Sequence, residues 1–388
     1  MHNQALPSGA LATPELDEAW FAARAQPGIR MLKAYDPGHD LVALRTRFGE
    51  SMLVELGSNE NSHGPSPAAR AAILDALNAI HRYPDPLGGQ LKRALAACHG
   101  VEPGAILLGN GSHELLMLMG QVFAGPGRTV VSSQYGFAVY ALAAQAAGAP
   151  LVQAPARPPG DAMPRGHDLD AIRAAIGPDT ALVYLANPNN PTGTWFGTAA
   201  LAGFLASVPP NVLVVVDEAY LEFVTDPALA TAIPLLAQFP NLAVTRTFSK
   251  GYGLAGLRVG CLLADPGLVA VLERVRESFN VNGPGLAACE AALGDQAHLA
   301  WVRRQNAVER EALADALAAR GLAVSPSQTN FLLVDFGRDA GPVEAGLVAL
   351  GVVPRPMAGY GLPTCLRLTV GVRDENRRLL QALDEVLA

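Results

Sequence analysis

Short runs rich in Val, Leu and Ile recur along the chain, and the stretches between them repeat Ala and Leu at helical spacing. Strands that are apolar on both faces, rather than alternating, belong to a parallel sheet covered by helices on each side. The pattern predicts an α/β fold with central strands at 105–109 (AILLG), 129–133 (TVVSS), 181–186 (ALVYLA), 212–216 (VLVVV), 242–248 (LAVTRTF) and 260–264 (GCLLA). Helices are expected over 67–81, 113–123, 136–147, 168–176, 198–207 and 266–279. From about residue 284 the chain changes to a long Ala/Leu/Glu/Arg-rich helical stretch (284–320), then the strands NFLLVDF and CLRLTV and a last helix. This divides the chain into an N-terminal arm with a short helix (1–50), a large domain (51–283) and a small α+β domain (284–388) joined by part of the N-terminal segment.

Composition narrows the range of partners. A chain of 388 residues with 50% hydrophobic content can bury a large core. The net charge of -7 and the absence of any dense Lys/Arg block argue against nucleic acid or an anionic membrane as partner, leaving small molecules. The first twenty residues lack the basic start and apolar centre of a signal peptide, and no apolar run approaches membrane-spanning length, so a cytoplasmic protein is expected. Cys98, Cys261, Cys289 and Cys365 lack metal-type spacing and read as reduced thiols; the eight histidines form no cluster, so no metal site is expected.

The chemistry converges on strand ends. In a parallel sheet the carboxyl ends of the strands share one edge. ALVYLA runs into NPNNPTG, VLVVV into DEAY, and LAVTRTF into SK, so Asn190, Asp217, Tyr220 and Lys250 should meet around one crevice. The chain has three lysines (Lys33, Lys92 and Lys250) among 28 basic residues, which makes Lys250 an exception to a preference for arginine. An amine that must condense with an aldehyde has to be lysine, because a guanidinium stays protonated. A carboxylate at a buried strand end needs a partner, and a pyridinium N–H is one that would hold Asp217 ionised. Tyr220 and Asn190 can both donate to a ring hydroxyl or phenolate. In LLGNGSHELL a strand enters Gly109-Asn110-Gly111-Ser112 and a helix begins near His113, the arrangement in which free backbone amides hold phosphate. Ser249 and Arg258 would add a hydroxyl and a guanidinium. Lysine, carboxylate, phenol and cradle together fit pyridoxal 5'-phosphate. Singly, each feature has a plainer reading: GNGS and NPNNPTG as turns, Asp217 and Glu218 as a helix cap or metal pair, Tyr220 as core, Arg258 as a surface ion pair.

These segments resemble the fold type I aminotransferases, class II among them, and within that group the histidinol-phosphate branch. The resemblance runs from about residue 55 through SNENSHGPSP, RYPDP, LLGNGSHELL, SQYGFAVY, ANPNNPTGT, VVVDEAYLEF, TRTFSKGYGLAGLRVG, FNVN and RPMAGYGLPTCLRLTVG. It implies that Lys250 bears the cofactor and shuttles the proton between the substrate Cα and cofactor C4′. It further implies that Asp217 pairs with the pyridine nitrogen, that Asn190 and Tyr220 hold O3′, and that Tyr135 stacks on the ring. The cofactor phosphate would be held by the amides near Gly111, Ser112 and His113, by Ser249 and Arg258, and by Tyr83 from the other subunit of a homodimer. Arg367 matches the arginine that binds the amino-acid carboxylate, and Arg355 a second anion-binding position. The expected reaction is amino transfer between L-glutamate and imidazole acetol phosphate, giving 2-oxoglutarate and L-histidinol phosphate in histidine biosynthesis.

The chain departs from the pattern at Ser62-His63, where proline and an aromatic or aliphatic residue are usual, and at Gly283-Pro284-Gly285, where small helix formers are usual. Both bear on substrate more than on cofactor. The competing readings are an aminotransferase of the same branch acting on aromatic or other amino acids, and a pyridoxal-phosphate-binding regulatory module without catalysis. A nicotinamide dehydrogenase is the third, although GNGSHE lacks the last glycine of the dinucleotide fingerprint.

Overall fold

The computed structural model describes residues 17–30, 32–33, 38–49 and 52–388; the first sixteen residues of the expected arm lie outside it. The strands, in chain order, are β1 (Val54–Glu55), β2 (Ile106–Gly109), β3 (Thr129–Ser133), β4 (Leu151–Ala154), β5 (Thr180–Ala186), β6 (Leu213–Asp217), β7 (Leu242–Thr247), β8 (Gly260–Ala264), β9 (Ala323–Val324), β10 (Phe331–Asp335), β11 (Val352–Val353), β12 (Arg355–Pro356) and β13 (Cys365–Thr369). Seven of them form the large sheet in the order β2-β8-β7-β6-β5-β3-β4. It is parallel except for β8, which runs antiparallel to both neighbours. All six expected central strands form, and β4 adds an edge strand that the sequence pattern did not single out.

Successive residues of a strand face opposite sides. In β5, Leu182 and Tyr184 face one helical layer with Leu107, Val215 and Leu262, while Val183 and Leu185 face the other with Val131, Val214 and Val244. Both faces are therefore covered, which is why these strands read as unbroken apolar runs. Caps set the helix starts: Ser66 Oγ accepts from the Ala69 amide ahead of Pro67–Ala76, and the Asp168 carboxylate accepts from the Asp170 and Ala171 amides ahead of Leu169–Ala175. The helix Gly89–His99 was not anticipated, and the one expected over 266–279 ends at Leu272.

The long helix expected over 284–320 is two helices, Gly283–Gly294 and Gln296–Ala318, divided at Asp295, whose side chain caps the second. Ala288, Cys289 and Ala292 of the first pack into the large sheet's core with Leu91, Leu95 and Ala69. That helix belongs with the large domain, so the division expected at residue 284 falls instead after Gly294. The second core gathers Leu313 and Leu317 with Leu332, Val334, Leu366, Leu368, Leu379 and Leu383, around the sheet β12-β13-β10-β9. Val54 and Leu56 join it, because β1 pairs in parallel with β11. Among the described residues no helix is long and apolar enough to cross a membrane, and no group of His, Cys, Asp or Glu is arranged to hold a metal ion.

Candidate active site

Sheet register brings the strand ends into line. Asp217 at the end of β6 lies opposite Ala186 of β5 on one side and Thr245 of β7 on the other. Gly260, the first residue of β8, pairs with both Thr247 at the end of β7 and Gly109 at the end of β2. Because β8 is reversed, β2 runs in the same sense as β7, and its carboxyl end joins the same edge. The loops leaving β2, β5, β6 and β7 therefore surround a cavity of about 1120 Å³, whose wall includes Ser112, His113, Asn190, Asp217, Tyr220, Ser249, Lys250, Arg258, Arg355 and Arg367.

Asp217 and Glu218 point to opposite sides, as consecutive residues at a strand end do. Glu218 turns from the cavity to Arg246 (3.2 Å), the Thr231 hydroxyl (2.7 Å) and the Ala232 amide (2.5 Å), while Glu222 takes the second Arg246 nitrogen at 2.5 Å. The metal-pair alternative has no support in this geometry. Asp217 faces the cavity, buried, accepting from the Tyr140 hydroxyl (3.1 Å) and the Thr245 hydroxyl (2.9 Å). Burial pushes its carboxyl up to about 6, against the pull of those two hydrogen bonds. A ring N–H⁺ placed beside it would supply the cation that neither hydroxyl provides. Tyr140 and Thr245 were missed as site residues; Tyr140 was visible as the last residue of FAVY, but nothing in the sequence pairs it with Asp217.

Lys250 follows β7 by three residues, and its ammonium donates to the carbonyls of Ser58 (2.9 Å) and Asn59 (3.0 Å). Burial first, and then the nearby Arg367 guanidinium, lower its pKa to about 7. A neutral amine is thus available near physiological pH, as a nucleophile requires. In the cofactor-free protein, labelling of Lys250 by fluorodinitrobenzene should rise with pH around a midpoint near 7, read by peptide mass spectrometry against Lys33 and Lys92. A midpoint near the ordinary 10.5 would contradict this account of the amine.

The phosphate cradle expected at 109–113 is built from backbone. The helix Ser112–Phe123 starts at the cavity with no side-chain cap, so its first amides keep no intrahelical partner. Gly111 has φ 81, and a Cβ there would stand 2.5 Å from Arg258 Nη2, so glycine is needed both for the turn and for the guanidinium to lie across it. Arg258 also donates to Ser249 Oγ (3.3 Å) and the Ala255 carbonyl (3.1 Å), which gathers hydroxyl, guanidinium and amides at one spot. His113 is held neutral, its pKa lowered by burial and by Arg258. An anion suits this corner and a cation does not.

The opposite wall comes from the small domain. Arg355 of β12 and Arg367 of β13 are direct cross-strand partners, and both reach the cavity. Arg367, buried, donates to Asn190 Oδ1 (2.6 Å) and to the Gly57 carbonyl (2.7 Å). Asn190 therefore presents its carbonyl to the arginine, leaving its amide nitrogen for a ligand. The Tyr220 hydroxyl accepts from Asn59 Nδ2 at 2.9 Å, so its own proton is left to donate, and burial keeps the phenol protonated by raising its pKa to about 12. Asn59 is a third residue that sequence reasoning missed. It is buried with φ 54 and sits in the quoted SNENSHG, where its role as Tyr220's partner has no local signal.

Two expected roles fare differently. Tyr135 is not on the cavity wall: its ring packs with Leu333, Met357, Leu362 and Cys365, so the stacking role expected of it is corrected. The aromatic ring that this loop gives to the cavity is Phe137, two residues on. Tyr83 is also away from its own chain's cavity, 83% exposed and stacked on Phe279 at 4.7 Å. The two departures stand off the wall as well. His63 meets Trp301 edge-on at 4.9 Å. In the glycine-proline run, Asn282 caps the helix through the Gly285 amide (2.7 Å), and Gly285 lies close against Val259.

This cavity, with its lysine, carboxylate and anion corner at the carboxyl edge of a mostly parallel sheet, defines a class, and the sequence agrees. Residues 51–383 match the family described as aminotransferase class I and II, and the chain belongs to that family. Among its relatives, histidinol-phosphate aminotransferase 2 of Pseudomonas aeruginosa is 48% identical over 370 residues, covering 95% of this chain and 99% of that one. Histidinol-phosphate aminotransferase of an Anaeromyxobacter species is 46% identical over 363 residues, 93% and 98% of the two chains. The crystal structure of histidinol-phosphate aminotransferase from Sinorhizobium meliloti in complex with pyridoxal-5'-phosphate superposes with a TM-score of 0.83 at 34% identity, over 94% of this chain and 98% of that one.

Proposed function

We propose that the chain is a pyridoxal-phosphate-dependent aminotransferase that exchanges an amino group between L-glutamate and L-histidinol phosphate. The observation that carries the reading is one cavity holding a pKa-lowered lysine, a buried carboxylate and two separate anion-binding corners. When bound, the cofactor supplies the aldehyde that takes up the amino group and the ring that accepts the electron pair released at Cα. Lys250 Nζ takes the proton from Cα and returns it one carbon away, which an amine with a pKa near 7 does in both directions. Asp217 holds the ring nitrogen protonated, with Tyr140 and Thr245 fixing the carboxylate's direction. Tyr220 and the Asn190 amide donate to the ring oxygen, and Ser112, Ser249 and Arg258 hold the cofactor's phosphate. Arg355 and Arg367 take the substrate's anionic groups. A phosphate on one substrate and carboxylates on the other suit guanidinium pairs, which grip either.

The test is rapid mixing of the cofactor-loaded protein with L-histidinol phosphate and, separately, L-phenylalanine. Loss of the yellow absorbance in one turnover should be fast with the first and slow with the second. The reverse order would leave transamination standing but move the substrate to the aromatic amino acids.

The proposal includes a homodimer. Leu74, Leu77 and Ile80 are exposed at three-residue spacing on one face, next to the exposed pair Tyr83 and Phe279, an apolar surface that a partner subunit would cover. Tyr83 would then reach the phosphate corner of the partner's cavity. Ile80→Asp is expected to give a monomer in light scattering and to weaken cofactor retention; a monomeric wild-type protein would count against both statements.

A further inference from the structure

We propose that Glu114 is a positioning residue for the corner that takes the cofactor's phosphate; this rests on the function proposed above. Glu114 is the third residue of the helix Ser112–Phe123 and is not on the cavity wall. Its carboxylate turns back past the helix start and accepts from the Asn110 amide. The next amide, that of Gly111, donates to the Gly109 carbonyl at 2.8 Å. Both amides ahead of the helix are thus engaged within the turn. Ser112 and His113, which are on the wall, then carry the first amides that have no intrahelical partner.

The arrangement is half of a capping box. In the full motif a glutamate at the third helical position and a hydroxyl at the cap each satisfy the other's backbone amide. Here the cap is Gly111, which has no side chain, and the glutamate acts alone, one residue further back. Where a cap side chain would begin, the Arg258 guanidinium lies instead, a donor in the place of an acceptor. The helix start therefore offers amides and a guanidinium and lacks the acceptor that the motif normally supplies. A phosphate oxygen fills that role, provided the turn from Gly109 to Ser112 keeps its shape.

Glu114 is itself held from outside the turn. Asn280 Nδ2 donates to both of its oxygens (2.9 and 3.2 Å) and to the Leu108 carbonyl in β2 (3.3 Å). The orientation of that amide is fixed, because Asn280 Oδ1 accepts from Arg276 Nη1 at 2.7 Å. Arg276 in turn pairs with Glu273 (2.8 Å) and donates to the Pro86 carbonyl (3.0 Å). Phe279, next to Asn280, has φ 60 and stacks on Tyr83. The carboxylate thus ties the phosphate turn to the segment that carries the exposed aromatic pair. Its charge works against its position: a carboxylate at the helix end that takes a phosphate repels it. Removing Glu114 would tighten phosphate binding if charge decided the matter, and loosens it if the shape of the turn does.

Titration of the cofactor-free, full-length protein with pyridoxal 5'-phosphate and with pyridoxal, which lacks the phosphate, separates the two effects. Glu114→Ala is expected to raise Kd for pyridoxal 5'-phosphate about tenfold, the loss of one charge-assisted hydrogen bond, while Kd for pyridoxal stays within about twofold. Glu114→Gln keeps an acceptor for the Asn110 amide without the charge, and should bind pyridoxal 5'-phosphate within about threefold of wild type. An alanine variant that binds pyridoxal 5'-phosphate as tightly as wild type or more tightly, or that weakens both ligands alike, overturns the role of Glu114. So does a glutamine variant as weak as the alanine one. Each of these results leaves the proposed function intact. A wild-type protein that does not prefer pyridoxal 5'-phosphate to pyridoxal removes the phosphate corner itself, and the reading of Glu114 with it.

Discussion

Lys250→Ala is expected to lower steady-state transamination by about 10⁴-fold, the upper range for removing a positioned acid–base group. No neighbour can take its place. The arginines of the wall do not give up a proton at neutral pH, His113 stands in the anion corner at the start of the helix Ser112–Phe123, and Lys92 is held by Glu273. Lys250→Arg should therefore be as inactive as the alanine variant although it keeps the charge. The alanine variant leaves room beside the Ser58 and Asn59 carbonyls that now accept from the ammonium. Added methylamine should recover part of the rate in proportion to its neutral fraction. A variant turning over within tenfold of wild type would mean that Lys250 is not the proton carrier.

Asp217→Asn is expected to act in opposite directions on stability and on catalysis. The carboxyl titrates near 6 in the folded chain and near 3.8 in the unfolded one. The native state therefore binds the extra proton between these values, and stability falls as pH rises through that window. Above pH 6 the cofactor-free protein carries the full cost of the buried charge, about 3 kcal/mol at most. An amide of the same shape has no such cost, so the variant should resist urea better at pH 8, with the advantage shrinking toward pH 5. With cofactor bound the order should reverse, and kcat should fall about 10²–10³-fold for loss of one preorganised electrostatic contact. A cofactor-free variant less stable than wild type at pH 8 would show that the carboxylate has a cation the geometry does not provide.

What could be read from sequence follows from what is local. Lys250, Asp217 and Asn190 stand just beyond apolar runs, and in a parallel sheet that position alone brings them to a common edge. The cradle at Gly111 and Ser112 was a weak signal by itself, since glycines commonly serve turns, and it gained weight only from its company with the other strand ends. The partners that tune these groups come from afar: Tyr140 is 77 residues from Asp217, and Asn59 is 161 from Tyr220. No spacing rule connects them. Tyr135 misled because the loop after β3 turns, and the ring two residues later reaches the cavity instead. The break at Asp295 was hidden because a helix-capping aspartate between two Ala-rich helices scarcely interrupts the periodicity. The first of those helices was assigned to the wrong core for the same reason, since an apolar face does not say which neighbour covers it.

The last strand of the small sheet returns to the segment that follows β1: Arg367 donates to the Gly57 carbonyl, the Asn59 amide to Thr369 Oγ1 (3.0 Å), and the Thr369 amide to the Leu56 carbonyl (2.9 Å). The carbonyls of Ser58 and Asn59 that receive the reactive amine are thus positioned by residues more than 300 positions later. During synthesis the large sheet can form once β8 has emerged, but the amine's surroundings stay open until Arg367 and Thr369 have also left the ribosome. A nascent chain can therefore hold a folded sheet for some time before it can hold its cofactor, and the tightest binding belongs to the finished protein.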